Sequence, residues 1–170
     1  NSHVAILART MGIPTVMGVT DLPLHLVDGK KIVLDGNKGN VISNPTELLL
    51  KDYTEAISLE PLLAQAYTNR GRSYTEIGEY QLAIADLDKA IILDVTDALA
   101  YSNRGYAYTS LGEYRQAVAD FTMSLRLNPQ SAFTYRSRGH AYDYQGLHGK
   151  AIADYDEAIT LNPSDSVSYF

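Results

Sequence analysis

From Ala64 onward, small and apolar residues recur at spacings of three and four, and the whole pattern returns every 34 residues. Tyr67, Gly71 and Tyr74 mark one stripe, Gly78 interrupts it, and Ala83, Leu87 and Ala90 mark a second. Each stripe fits one face of an α-helix, where residues three and four apart lie above one another. Units starting at Ala64, Ala98 and Ala132 align without a gap. The expectation is a helix, a turn and a second helix in each unit, stacked into a mainly α solenoid. Gly71, Gly105 and Gly139 fall inside the first helix, where glycine costs about 1 kcal/mol against alanine. That cost predicts a close approach of the paired helix, with Ala83, Ala117 and Ala151 facing the gap and Tyr74, Tyr108 and Tyr142 beside it. Pro129 and Pro163 close two of the units, because proline cannot continue a helix. Val95 stands at that place in the first unit.

Both ends of the array carry parts of further units. In residues 51–61, Tyr53, Ala56, Leu59 and Pro61 keep register with Leu87, Ala90, Leu93 and Val95. Residues 166–170 begin another unit, with Tyr169 in the place of Tyr67, Tyr101 and Tyr135. A solenoid end needs a polar cap, since each repeat buries its face on the next; with none in the pattern, the expectation is a piece of a longer protein. The first 46 residues do not keep the period. They read as a helix over about residues 2–11, a β-prone run at 15–19, and a hairpin with turns at Asp35-Gly36 and Lys38-Gly39. Residues 47–59 read as a helix with Pro45 at its start and Asn44 or Thr46 as its cap.

In all three units an aromatic is followed by glycine four residues on, tyrosine three later, alanine nine later, then an aromatic or leucine. Residues 64–165 thereby resemble the tetratricopeptide repeat (TPR) family. Departures are Arg70, Arg104 and Arg138 where many repeats carry leucine, Ser124 at an alanine position, and His148 where Tyr80 and Tyr114 stand in the earlier units. The resemblance implies a concave groove, lined by the first helices, that receives a peptide or a helix. By register the lining is Gln65, Thr68, Asn69, Arg72 and Thr75, then Leu99, Ser102, Asn103, Tyr106 and Thr109, then Phe133, Arg136, Ser137, His140 and Asp143. Amides, hydroxyls, two arginines and aromatics suit an extended polypeptide of polar or acidic character. Thr68, Arg72 and Ser102 depart from the Lys and Asn pattern by which one subclass grips a C-terminal carboxylate, so chaperone-tail binding is not expected.

The N-terminal segment resembles the phosphohistidine swivelling domain of enzymes that use phosphoenolpyruvate (PEP), most closely the nitrogen-type PEP-protein phosphotransferases. The likeness is carried by Asn1-Ser2-His3, Ala5-Ile6, Ala8-Arg9, the run Gly12-Ile13-Pro14-Thr15-Val16-Met17-Gly18, Asp28-Gly29 and the stretch from Val33 through Gly39. It implies that His3 accepts phosphate from PEP and passes it to a small phosphocarrier protein. A phosphate there also has a physical basis: with Ser2 as cap, His3 lies in the first turn of a helix, where free N–H groups and the dipole favour an anion. The likeness begins at the histidine itself, and no segment resembles a PEP-binding barrel. The chain is therefore expected to hold no cofactor, with Mg and PEP entering only through a separate PEP-binding domain. The expected division is a partial phosphohistidine domain at 1–46, a connecting helix or half repeat at 47–63, repeats at 64–97, 98–131 and 132–165, and the start of another at 166–170. A natural fusion, a truncated reading frame and an accidental join all produce such a joint.

Charge separates the two parts: residues 1–46 carry a net +1 and residues 47–170 a net −7. Such an acidic array is a poor match for nucleic-acid phosphates. There is no cysteine for disulfides or thiol chemistry, and no apolar run of the roughly 20 residues a membrane span needs; the expected setting is cytoplasmic. Arg70, Arg104 and Arg138 recur sixteen residues before Asp86, Asp120 and Asp154, which predicts a structural arginine–carboxylate ladder. His140 and His148 lack the spacing of a metal site or an acid–base pair with Asp143 or Asp154. The composite expectation is a protein-interaction scaffold, with PEP-dependent phosphotransfer through His3 as the alternative.

Overall fold

The computed structural model describes residues 33–35, 40–42 and 45–163. The chain divides into two compact units, residues 1–49 and 50–170. In the first, β1 (Val33–Asp35) pairs antiparallel with β2 (Asn40–Ile42), with Val33 opposite Ile42, Leu34 opposite Val41 and Asp35 opposite Asn40. These are the two arms of the expected hairpin. The helix at 2–11, the run at 15–19, the turn glycines and the partial unit at 166–170 lie outside the described residues. Helix α1 runs over Pro45–Leu59, with proline at its first position, where the missing N–H leaves no bond unmade.

The second unit holds three helical hairpins: α2 (Ala64–Glu76) with α3 (Tyr80–Leu93), α4 (Ala98–Ser110) with α5 (Tyr114–Leu127), and α6 (Ala132–Tyr144) with α7 (His148–Leu161). Each first helix ends the same way. Gly78, Gly112 and Gly146 adopt φ of +83°, +78° and +72°, a left-handed conformation open to glycine without a Cβ penalty. The chain then folds back: Gly78 N–H donates to Thr75 O at 3.1 Å and Glu79 N–H to Tyr74 O at 2.9 Å, the paired bonds of a Schellman ending. The N-termini of α4 and α6 carry side-chain caps. Asp97 accepts from the N–H groups of Leu99 and Ala100, and Ser131 from that of Thr134.

The core follows the predicted stripes. Ala83, Leu87, Ala90, Ala100 and Ala107 are fully buried in one cluster, and Ala117, Phe121 and Ala141 in the next. The close approach at the mid-helix glycines is real, but the side chain that meets them is one turn further along than expected. A Cβ on Gly105 would lie 2.9 Å from the Phe121 ring, on Gly139 2.6 Å from Tyr155, and on Gly71 2.7 Å from Leu87 Cγ. The small alanines let the helices near each other; Leu87, Phe121 and Tyr155 use the space the glycines leave.

The arginine ladder runs along this seam. Arg70 donates from Nε and Nη2 to both oxygens of Asp86 at 2.7 Å, and Arg104 does the same to Asp120 and Arg138 to Asp154. Two tyrosines of the same helix flank each guanidinium, such as Tyr101 and Tyr108 at 5.7 and 6.0 Å from Arg104, close enough for cation–π attraction. The remaining Nη1 reaches back to the preceding second helix: Arg104 to Asp88 at 2.6 Å, Arg138 to Thr122 at 3.1 Å and Arg70 to Thr54 of α1 at 3.1 Å. One side chain thus ties its own hairpin together and joins it to the one before. Burial disfavours the Arg104 charge, but the bonds to Asp120 and Asp88 outweigh it and raise its pKa further above the ordinary value. Repeats two and three also meet through stacked Tyr114 and Tyr144 rings, 4.8 Å apart, and a bond from Gln145 Nε2 to Tyr114 O.

Candidate functional site

The first helices α2, α4 and α6 carry two adjoining depressions. One, of about 560 Å³, is lined by Arg72, Thr75, Glu76, Ile77, Gly78, Tyr80, Asn103, Tyr106 and Phe133. The other, of about 240 Å³, is lined by Tyr106, Thr109, Phe121, Phe133, Arg136, Ser137 and His140. Tyr106 and Phe133 belong to both and stand 45% and 47% exposed, so two large rings half in water divide one surface into two seats. Buried Phe121 contributes to the floor of the smaller one, and it belongs to the second helix α5.

Of the expected groove residues, Arg72, Thr75, Asn103, Tyr106, Thr109, Phe133, Arg136, Ser137 and His140 come together around these depressions. Gln65 and Asn69 do not line them; they are bonded to each other at 3.2 Å. Leu99 is 61% exposed and also lies outside both. Thr68 and Ser102 are corrections: they are 1% and 4% exposed and unavailable to a ligand. Thr68 Oγ1 donates to Asp97 Oδ2 at 2.7 Å, joining α2 to the capped start of α4, and Ser102 Oγ donates to Leu99 O. In a stacked array this register position faces the next repeat, which a groove assignment by helix face alone overlooks. Asp143 likewise serves a neighbour, with its Oδ1 2.6 Å from His148 Nδ1.

That His148–Asp143 contact was not legible from spacing. It bridges α6 and α7 on the surface, with side chains 71% and 57% exposed, and lies in neither depression. His140 meets the Tyr155 ring edge-on at 5.7 Å. Burial pushes the Tyr155 phenol up from its ordinary value, with Asp143 and Asp154 adding to the effect. Glu76, Ile77, Tyr80 and Phe121 were missed as lining residues. Phe121 had a signal: it is the residue opposite Gly105, and a glycine there opens the first helix to the side chain beneath.

The charges of the site are mixed. Arg72 pairs with Glu76 at 3.2 Å across one turn, both well exposed, and the Arg136 guanidinium lies 5.7 Å from the Phe133 ring. Among the described residues, no three His, Cys, Asp or Glu side chains gather as metal ligands, and no helix is long and apolar enough to cross a membrane.

Comparisons with known proteins divide the chain as its charge does. Residues 1–39 match the mobile domain of PEP-utilising enzymes. Among curated proteins, the phosphoenolpyruvate-dependent phosphotransferase system protein of Escherichia coli K12 is 40% identical over 60 residues, 35% of this chain and 8% of that protein. The phosphoenolpyruvate-protein phosphotransferase of Listeria monocytogenes is 38% identical over 65 residues, 38% of this chain and 11% of its own length. The chain thus spans about a tenth of these relatives. Tetratricopeptide repeat matches cover residues 98–131 and 132–165, and a TPR match covers 71–112. A crystal structure of MamA is 30% identical with a TM-score of 0.67, over 71% of this chain and 70% of that one. The first TPR of Spaghetti (RPAP3), solved bound to the HSP90 peptide SRMEEVD, is 26% identical with a TM-score of 0.61, over 62% and 83%. The second TPR domain of human RPAP3, solved with the HSP70 peptide SGPTIEEVD, is 27% identical with a TM-score of 0.60, over 62% and 88%. Over residues 71–165, more than half its length, the chain belongs to the tetratricopeptide repeat family.

Proposed function

We propose that the repeats bind an extended peptide across the two depressions, with a large apolar side chain of the peptide against Tyr106 and Phe133 and polar or acidic residues beside it. The observation that carries this is the pair of half-exposed rings shared by both depressions. Large aromatic anchors flanked by polar groups are where binding energy concentrates. Arg72 and Asn103 supply donors beside them, suited to carboxylates and backbone carbonyls. Two TPR neighbours were solved with peptides that each carry a Glu-Glu pair, which supports a peptide ligand with acidic residues. The test is an array of extended peptides varying one apolar position and its acidic neighbours. The wild-type chain is expected to select a leucine or aromatic next to Asp or Glu, and Tyr106→Ala and Phe133→Ala to lose that selection while staying folded. Selection that survives both changes, or no selection at all, would sink the proposal.

The match of residues 1–39 favours a second role. His3, outside the described residues, would take a phosphoryl group from PEP as pyruvate leaves, and hand it to a histidine of a phosphocarrier protein. In this reading PEP and its magnesium are held by a separate PEP-binding domain. With such a domain supplied in trans, acid-labile label from PEP is expected on the chain and absent from His3→Ala. A wild-type chain that takes up no label rejects this role.

A further inference from the structure

Helix α1 keeps the register of a second helix but has no first helix of its own among the described residues. Its residues 50–59 belong to the same compact unit as the repeats. Thr54 receives the backward bond of Arg70 as Asp88 receives that of Arg104 and Thr122 that of Arg138. On that register Asp52 corresponds to Asp86, Asp120 and Asp154, each of which grips an arginine with both oxygens. Tyr53 corresponds to Leu87, Phe121 and Tyr155, which cover the glycine following that arginine. Ala56 corresponds to Ala90, Ser124 and Ala158. In the complete repeats these carboxylates are 5–7% exposed. Asp52 is exposed, Tyr53 and Ala56 are only partly covered, and no ion pair among the described residues engages Asp52.

We propose that this face of α1 is a docking seat for a single helix of a partner protein bearing the pattern Tyr-x-x-Arg-Gly-x-x-Tyr. The chemistry is stated by three precedents in the molecule: an arginine held between two tyrosines bonds the aspartate through both oxygens, and the next residue is glycine because a ring or leucine lies against it. The charge is complementary, since Asp52 offers the carboxylate and the incoming helix the guanidinium. The seat also continues an interface already built, because the Arg70 bond to Thr54 holds α1 in line with the array. The pattern occurs only at Tyr67, Tyr101 and Tyr135, each within a helix already paired, and no tyrosine precedes Tyr53.

A synthetic amidated peptide with the sequence of α4, Ala98–Ser110, is a suitable probe. Added at millimolar concentration to the isotope-labelled full chain, it is expected to shift the amide signals of Asp52, Tyr53 and Ala56. The peptide with alanine for its arginine should bind about tenfold more weakly, the effect of losing a charge-assisted two-point bond. Asp52→Asn, an exposed change that leaves the fold intact, should weaken the arginine peptide equally and leave the alanine peptide unaffected. Tyr106→Ala and Phe133→Ala should change neither, which separates this seat from the peptide groove. No shifts at residues 52–56, or affinity indifferent to Asp52, would overturn the proposal. So would a chain that dimerises alone and becomes monomeric on Asp52→Asn, since the seat would then take a second copy.

Discussion

Two sets of arginines stand two residues apart in the same helices and do opposite things. Arg70, in the seam between α2 and α3, is 16% exposed and locked to Asp86, whereas Arg72, on the opposite side of the helix, is 67% exposed beside Glu76 at the larger depression. Arg138 and Arg136 repeat the contrast in α6, one bonded to buried Asp154 and the other over Phe133 at the smaller depression. The seam arginines return every 34 residues with their aspartates; the place of Arg72 is taken by Tyr106 and His140 in the other two repeats. The two-point bond admits one pairing of side chains, arginine with a carboxylate, so it preserves the period. The positions at the depressions are under no such constraint and differ from unit to unit.

The largest expected effect comes from the one residue that serves both regions. Phe121 is fully buried, lies against Gly105 in the seam and floors the smaller depression. Phe121→Ala should lower stability by about 3–5 kcal/mol, read from the urea midpoint, and also weaken peptide selection in whatever fraction stays folded. A loss below about 1 kcal/mol would mean that the seam closes without the ring. Next comes Asp120→Asn, which keeps the shape but removes the charge that holds Arg104 at two points. Stability should fall by about 2 kcal/mol, the scale of a hydrogen bond to a charged group, while groove affinity is unchanged. Unchanged stability with lost binding would move the ladder from structure to recognition.

The seam was more legible in the sequence than the groove. A constant separation of sixteen gave all three pairs, Arg70 with Asp86, Arg104 with Asp120 and Arg138 with Asp154, because a spacing repeated in every unit reports contacts inside the unit. The backward bonds to Thr54, Asp88 and Thr122 were not found. There the acceptor changes between carboxylate and hydroxyl, and only the geometry shows that the position is one. In the groove, assignment by helix face found Tyr106 and Phe133 but counted Thr68 and Ser102 with them, since sequence does not say which neighbour covers a face. The hydroxyl of Thr68 supplies the third test. Thr68→Val keeps the shape and removes the bond to Asp97 Oδ2, while Asp97 continues to cap α4 through Oδ1. A loss of about 1 kcal/mol is expected, with no effect on the peptide array; an effect on the array would return Thr68 to the groove.

The smallest effect tests how the seam balances its charges. Arg104 lies between two carboxylates, Asp120 with 8% of its side chain exposed and Asp88 with 48%. Burial pushes the Asp120 carboxyl above its ordinary value; Arg104 pulls it down, and the like charge of Asp88 pushes it up again. Because the folded value lies above the unfolded one, burying the ionised Asp120 carboxyl costs the fold more than the two-point bond from Arg104 returns, although losing that bond would leave the Arg104 charge buried without it. That cost grows as pH rises from the unfolded value through the folded one and is absent in more acid solution. Asp88→Asn removes the like charge, so the Asp120 midpoint in a carboxyl NMR titration should move down and the window should narrow. The same change gives up the bond from Arg104 to Asp88, a half-exposed pair of small value. The two consequences oppose each other, and stability at neutral pH should stay within about 0.5 kcal/mol of wild type. A midpoint that stays put or rises would show that Asp88 acts on Asp120 only by orienting Arg104, and the ladder would then be a chain of positioned bonds in which repulsion between successive carboxylates plays no part.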